Sequence, residues 1–482
     1  MFWKGVVGYL PVNIVQALSG LLAIVVFTRV LTPDQYGAYA IAFSVMSLVH
    51  TLLFTWLEAA MARFYAAEAR GDDLPHHYAT LYRLFAALAV AFPLLAAPIL
   101  WLWPMQPMLK GAIAAGLVSI MCRCLARLAQ ERRRAAGDVK GAALLEITQS
   151  GGGFVIGACL ALLGFGASAP LWGIAAGAAV CLTWALPVEL KHGEGGRFEA
   201  ARARAYAAYG LPVSLSLVLA LVLSTTDRFL LAGYLNETAV GVYHAGYSLA
   251  NRTLDVMFIW LGMAAGPVAI AALERGGREA LDKAAREQSS FMVLLALPAS
   301  VGLALVARPL ADVMVGEGLR AGAAQVTPWI AASAFLAGVT TYYFHTAFTL
   351  ARRTKLLFVV MAIPAGANVA LNLLLIPRFG LSGAMWATTA SFALGAISSY
   401  SLGRKVLPLP VPWDTLARAG AAATVMALIV SRLPAWGGVG ELAAKAAVGV
   451  AVYGVMAWLL DAAGMRSRTV ELAGLLRSRR PA

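Results

Sequence analysis

Two arginines on one face of an apolar helix are the residues of this sequence best suited to hold a ligand. Arg123 and Arg127 lie four positions apart in an apolar run, so a helix would present both on the same side. Two guanidinium groups that face one way can bind the oxygens of a phosphate or pyrophosphate as paired donors. The alternative is that both side chains extend to the cytoplasmic membrane surface and are solvated there. The pattern therefore predicts either an anion site or two solvated cations.

A second polar group, with the sequence NRTLD, interrupts another apolar run at residues 251–255. Arg252 and Asp255 are three positions apart, so they share a helix face and are expected to pair. Ionisable groups within a membrane span are costly, which makes these two residues and Asn251 functional candidates. Two interpretations stay open, a self-neutralised structural pair and the polar wall of a water-filled cavity.

Five further ionisable residues lie towards the ends of apolar runs. Arg63 and Arg83 bracket one loop, and we expect them either to extend a cationic cavity mouth or to be solvated. Asp227, Glu58 and Glu146 are acids that would bind a proton or a sodium ion if they face the cavity. A purely structural role is the alternative for each acid.

Catalytic and cofactor-binding motifs do not accompany these residues. The sequence contains no His-Glu-x-x-His, no Gly-x-Ser-x-Gly and no phosphate-cradling glycine loop. The pair Cys122 and Cys124 alone matches no common zinc spacing. We therefore expect no cofactor, no metal ion and no enzymatic activity.

The composition indicates what kind of chain must position the polar residues. Of 482 residues, 60% are hydrophobic and only 13% are charged, which is too few charges to cover a soluble protein of this length. The net charge of +14 comes from short loops between apolar runs. Nucleic-acid binding needs basic residues on one folded face, so we do not expect it. The composition predicts an all-α membrane protein built of spans, each of about 20 residues.

The apolar runs predict fourteen spans. They lie at 6–28, 38–58, 84–103, 109–130, 141–163, 170–189, 209–232, 241–267, 289–308, 323–350, 356–376, 380–402, 415–432 and 441–461.

The loop charges predict the orientation of these spans. If the N-terminus is cytoplasmic, the inward segments hold 25 Lys and Arg residues and the outward loops hold 6. Positive charge is retained on the cytoplasmic side of a membrane, so this split predicts that both termini are cytoplasmic.

A repeat predicts how the spans are grouped. The segment at 31–44 recurs at 235–248 with an offset of 204 residues, which aligns Gly37 with Gly241. Spans 1 and 2 would then correspond to spans 7 and 8 and point the same way. This predicts two six-span bundles related by an axis along the membrane normal. The predicted domains are 1–190 and 209–402 for the bundles, 191–208 for a cytoplasmic linker, and 403–482 for two extra spans and a basic tail.

Three segments give the chain a family resemblance. TRVLTPDQYGAYA at 28–40 resembles the first outward turn of the Wzx-type oligosaccharide-lipid flippases, and STTDRFLLAGYL at 224–235 resembles the end of their seventh span. The stretch at 350–388, which ends in NVALNLLLIPRFGLSGAMWAT, is the most specific. These flippases belong to the superfamily that also holds the MATE antiporters and the lipid II flippases, so a MATE-like fold is expected.

The resemblance implies a function that the residues alone do not. It implies a flippase or exporter for undecaprenyl-diphosphate-linked oligosaccharide in the bacterial inner membrane, with Arg123, Arg127 and Arg252 in a cationic cavity. Its partners would be the lipid-linked glycan and membrane lipids, with other polysaccharide assembly proteins as a further option. A lipid II flippase and a cation-coupled multidrug antiporter are alternatives within the superfamily. A membrane polysaccharide polymerase or ligase and a scaffold protein are alternatives outside it.

Overall fold

The protein is all-α, as predicted, and the computed structural model describes residues 2–467 and residue 469. Side chains are described for these residues except 2–11, 13, 263–265 and 354. The described residues form helices and contain no β-strand. The predicted basic tail beyond residue 469 lies outside the described residues. By packing, the chain divides into two compact units, Met1–His244 and Ala245–Ala482.

The first unit holds nine complete helices among its described residues and the start of a tenth. They are α1 Phe2–Val30, α2 Pro33–Leu53, α3 Thr55–Arg70, α4 Leu74–Leu102, α5 Pro107–Ala135, α6 Val139–Ile147, α7 Gly153–Leu162, α8 Ala169–His192 and α9 Ala200–Tyr234. A π-helical turn, Thr148–Gly152, joins α6 to α7. Helix α9, the predicted seventh span, packs on α2 and α3.

The second unit begins within helix α10, Glu237–Leu305, and contains six further helices in its described part. They are α11 Ala307–Met314, α12 Glu317–Val339, α13 His345–Leu350, α14 Thr354–Val406, α15 Trp413–Ser431 and α16 Gly438–Leu459. A second π-helical turn, Thr340–Phe344, joins α12 to α13. The predicted two-fold relation between 6–190 and 209–402 stays a prediction.

The described helices account for all fourteen predicted spans. Eleven helical segments are long and apolar enough to cross a membrane, and two of these, α10 and α14, each contain a break that separates two spans. Helix α1, whose segment Ile14–Val30 is apolar, adds the remaining span. Large apolar side chains such as Leu94 and Trp101, which are 69% and 76% exposed, have no protein cover. Lipid must cover them, so the chain is a multi-pass membrane protein.

One glycine separates the two spans of α14. Gly380 has φ 55° and ψ −130°, a backbone conformation that a residue without a β-carbon adopts at little cost. Beyond it the chain folds back, since a β-carbon on Gly395 would lie 3.2 Å from the Pro364 side chain. Pro377 lies inside the helix, within one turn of Gly380.

Glycines also set the closest packing in the first unit. A β-carbon on Gly177 of α8 would lie 2.6 Å from the Gln149 carbonyl oxygen and 2.7 Å from the Gly153 Cα. Gly153, the first residue of α7, therefore serves close packing of α7 against α8.

Candidate functional site

A break between α2 and α3 builds the first part of a polar cluster inside the first unit. Phe54, with φ −122°, lies between the two helices, where a single span is predicted at 38–58. In an unbroken helix His50 and Glu58 would be about 12 Å apart along the axis. The break lets His50 Nε2 approach Glu58 Oε1 to 2.8 Å. His50 is buried, and its Nδ1 has no hydrogen-bond partner among the described residues.

Glu146, on α6, is the second part of the cluster and is only 3% exposed. Its carboxylate accepts hydrogen bonds from Gln16 Nε2 at 2.5 Å, from Gln130 and from Arg134 Nη2 at 3.2 Å. These donors come from α1 and α5, so one acid joins three helices. The sequence presents Glu146 as a lone acid, and in the structure its oxygens are occupied by protein donors.

Arg127 and Arg123, on α5, differ in their partners although they share a helix face. The Arg127 Nη1 lies 3.7 Å from Glu146 Oε2. Among the described residues, Arg123 has neither an ion-pair partner within 4 Å nor a hydrogen-bond acceptor, and it is half-buried in an apolar span. Arg123 is therefore the cation of this pair that is available to an anionic ligand.

Arg63 and Arg83 are exposed and do not contact the cluster within the described part of the chain. The Arg63 guanidinium lies 5.9 Å from the centre of the Tyr209 ring, which is at the limit of a cation–π contact. Arg83 donates a long hydrogen bond of 3.5 Å to the Gly196 carbonyl oxygen. Both side chains keep donors free for solvent or for a ligand.

Asp227, on α9, is fully buried, and its neighbour Arg228 is nearly so. Adjacent helical residues point in different directions, so each needs partners of its own. Arg228 Nη1 lies 3.3 Å from Ser44 Oγ, and Asp227 Oδ1 accepts the Arg228 backbone N–H at 2.8 Å.

The second unit contains the polar group on α10. Asn251 Nδ2 donates to Asp255 Oδ2 at 2.5 Å. The expected ion pair between Arg252 and Asp255 is not formed within 4 Å, although the two side chains interact electrostatically at longer range. Arg252 is exposed and has no ion pair among the described residues. Like Arg123, it is a cation within an apolar helix that no protein carboxylate neutralises by direct contact.

Sequence reasoning missed the neutral polar residues of the spans. His50, Gln16 and Gln130 bind the acids of the first unit, although their side chains are neutral or only weakly basic and do not stand out in an apolar run. In the second unit Asn368 and Asn372 are fully buried on α14. Neither the side-chain nitrogen nor the side-chain oxygen of Asn368 has a hydrogen-bond partner in the described chain. Their spacing of four in an apolar run was the available signal. Among described residues, no group of three or more His, Cys, Asp and Glu side chains is placed to hold a metal ion.

Comparison with known proteins gives a family and a fold. A family model described as "Polysaccharide biosynthesis protein" matches residues 26–320, more than half of the chain. Among curated protein sequences, none matches the chain significantly.

Solved structures show the same fold at low sequence identity. The lipid II flippase MurJ, in an inward closed conformation, has a TM-score of 0.72 and 12% identity over 93% of this chain and 98% of that chain. A multidrug resistance MATE family transporter in an inward-facing conformation has a TM-score of 0.68 and 16% identity over 81% and 94%. A MOP superfamily transporter from Pyrococcus furiosus has a TM-score of 0.57 and 14% identity over 82% and 95%. The predicted MATE-like fold is confirmed, and these similar structures are transporters and flippases.

Proposed function

Because the chain belongs to the polysaccharide biosynthesis protein family, we propose that it is a flippase of the bacterial inner membrane. Its cargo is an undecaprenyl-diphosphate-linked oligosaccharide, such as a unit of O-antigen, capsule or exopolysaccharide. The protein moves this cargo from the cytoplasmic to the periplasmic face by alternating access and breaks no covalent bond, so it is not an enzyme. The 25-to-6 distribution of loop cations supports cytoplasmic termini.

The observation that carries this proposal is the unpaired guanidinium of Arg123. A cation at the centre of a span costs about 2.5–3.5 kcal/mol on insertion scales, so it needs water or an anion nearby. A diphosphate supplies oxygens that match the guanidinium donors, and the polyprenyl chain can stay in lipid. Arg127 is the second residue proposed to bind the diphosphate, and its 3.7 Å contact with Glu146 positions its guanidinium on the same helix face as Arg123.

The polar group on α10 is the proposed second contact surface for the cargo. Arg252 supplies a cation that makes no direct ion pair among the described residues, and the paired Asn251 and Asp255 offer an amide and a carboxylate to sugar hydroxyls. Arg63 and Arg83 are proposed to attract the diphosphate at the cytoplasmic side, where weak contacts leave their donors available.

Energy coupling is proposed to involve Glu58 before the other acids. Glu146 already accepts hydrogen bonds from three residues, so a proton or sodium ion would have to displace protein donors. Among the described residues Glu58 has one hydrogen-bonding partner, His50, whose second ring nitrogen is buried without a hydrogen bond. Asp227 is the next candidate, since it is fully buried in a span.

Flipping of a labelled undecaprenyl-diphosphate-linked glycan in proteoliposomes tests this function. We expect Arg123→Ala to slow flipping about ten- to a hundredfold, since one charge-assisted contact is worth about 1.5–3 kcal/mol. Arg123→Lys should recover part of the rate, because a point charge replaces the paired donors of a guanidinium. Arg252→Ala should slow flipping in the same way.

Arg418→Ala is the matched control, because Arg418 also lies in an apolar helix but is paired with Asp414 at 2.9 Å. It should flip at the unmodified rate. Normal flipping by both Arg123→Ala and Arg252→Ala at equal incorporation would contradict the cationic-cavity mechanism. Parallel assays with lipid II and with a cationic drug test the two alternatives within the superfamily. Transport of lipid II would indicate a lipid II flippase, and transport of the drug would indicate a multidrug antiporter.

A further inference from the structure

Helix α4 buries side chains against protein only in its first half. Its buried residues end at Phe85, and no position of the described helix from 86 to 102 is buried. The outer half therefore stands away from its neighbours in the first unit. Because the inside of a protein or a bilayer leaves few voids, the space beside this half of the helix must be filled by lipid.

This space is an apolar groove that α4 shares with α2 and α5. Its volume is about 630 Å³, which is within the usual range of ligand sites. Along α4 it runs from Leu88 to Trp103, about 22 Å at the rise of a helix. One leaflet of a hydrocarbon core is about 15 Å deep, so the groove covers the depth of a leaflet. At the inner end Phe92 packs edge-on against Phe54, with ring centres 6.1 Å apart. The groove therefore has the length and the lining of a site for one lipid chain.

A single lysine lies at the outer end of the groove. Lys110 precedes Ile113 and Leu117, which line the groove, by three and seven positions, so the three share one face of α5. Its Nζ donates to the Trp101 carbonyl oxygen at 2.8 Å and has no ion pair within 4 Å among the described residues. An ammonium has three donors, so two remain for a ligand. Trp101 and Trp103 are exposed beside it, as is typical of side chains at the headgroup level of a membrane.

We propose that this groove binds one anionic glycerophospholipid of the outer leaflet, with its phosphate at Lys110 and an acyl chain along α4. The loop charges assign this end of α4 to the periplasmic side. One ammonium suits one phosphodiester, since lysine binds a phosphate as a point charge. The bound lipid is the packing partner that the outer half of α4 lacks.

The polyprenyl chain of the proposed cargo is the other candidate occupant. Its diphosphate is assigned to Arg123, which follows Lys110 by thirteen positions on α5. At 3.6 residues per turn, that spacing rotates the two residues about 140° apart around the helix. The charged group proposed for the cargo therefore lies on a different face of α5 from the groove, which favours a phospholipid.

Native mass spectrometry of the full-length protein tests the headgroup contact. The protein in detergent is offered equal amounts of phosphatidylglycerol and phosphatidylcholine with the same acyl chains. We expect it to retain one phosphatidylglycerol in preference. Lys110→Ala should lower that retention about tenfold, because one charge-assisted contact is lost. Arg432→Ala, which removes another exposed cation of the outward loops, is the matched control and should retain the lipid. Equal retention by the two variants, or of the two lipids by the unmodified protein, would overturn the proposal.

Filling the groove tests the chain contact. Ala96 lines the groove, whereas its neighbour Ala97 is exposed on another side of α4. Among monodisperse proteins, Ala96→Trp should lose the bound phosphatidylglycerol and Ala97→Trp should keep it. Equal retention by these two variants would refute the site. Undecaprenyl phosphate, added in equal amount and retained in place of phosphatidylglycerol, would assign the groove to a polyprenyl chain and overturn the phospholipid. Neither test needs transport, so the result is independent of the proposed function.

Discussion

Replacing Glu146 by glutamine separates a structural role of this acid from a coupling role. The substitution keeps the shape of the side chain and removes its charge. Three donors then face an amide that can accept at only one oxygen, and Arg127 and Arg134 lose the carboxylate that lies 3.7 Å and 3.2 Å away. If Glu146 holds α1, α5 and α6 together, Glu146→Gln must destabilise the first unit.

The size of the effect follows from the burial of Glu146, which is 3% exposed. Each hydrogen bond to a charged group contributes about 1.5–3 kcal/mol, and Arg127 and Arg134 are 27% and 33% exposed and stay partly solvated, so the loss of the carboxylate should cost about 3 kcal/mol in all. For a unit of 244 residues, 1 kcal/mol corresponds to roughly 2–4 °C in the melting temperature. We therefore expect Glu146→Gln to lower the melting temperature by at least about 6 °C.

The assay is thermal unfolding in detergent, followed by flipping at a temperature where every variant is folded. Glu131→Gln is the matched control, since Glu131 bonds the same Arg134 at 2.7 Å but its side chain is 20% exposed. A partly exposed pair is worth about 0.2–1 kcal/mol, so this control should melt within about 4 °C of the unmodified protein. If both variants melt alike, the structural reasoning is refuted. A stable Glu146→Gln protein whose flipping no longer responds to a proton or sodium gradient would assign coupling to Glu146.

Two further predictions concern topology and packing. Reporter fusions after Arg378 should behave as periplasmic and fusions after Arg353 as cytoplasmic, and the reverse pattern would overturn the orientation. Gly177→Val should sharply reduce folded protein in the membrane, because its β-carbon would lie 2.6 Å from the Gln149 carbonyl oxygen, whereas Gly454→Val, with open space around it, should not. Size-exclusion profiles of the two variants check this, and equal yields of monodisperse protein would contradict the packing.

The spans were predictable because their signal is local. An apolar run of span length must be helical in lipid, whatever its neighbours are, so the predicted segments match the helices. The break at Phe54 was not predictable, since no glycine or proline marks it and it depends on the packing of α2 and α3.

The partners of the polar residues were predictable only where the partner is close in sequence. The shared face of Arg123 and Arg127 follows from helical periodicity. The bond from Gln16 to Glu146 spans 130 residues, and no single-sequence pattern joins them. Helical spacing allowed Asp255 two partners, and Asn251, one full turn away, donates to the carboxylate while Arg252 stays beyond 4 Å.

The single-residue turn at Gly380 has a mechanical consequence. A long flexible loop would let the two spans it joins tilt independently, whereas a turn of one residue keeps their adjoining ends together. A β-carbon on Gly395 would lie 3.2 Å from the Pro364 side chain, so the two spans also pack closely well away from the turn. We therefore expect the two spans of α14 to move as one body.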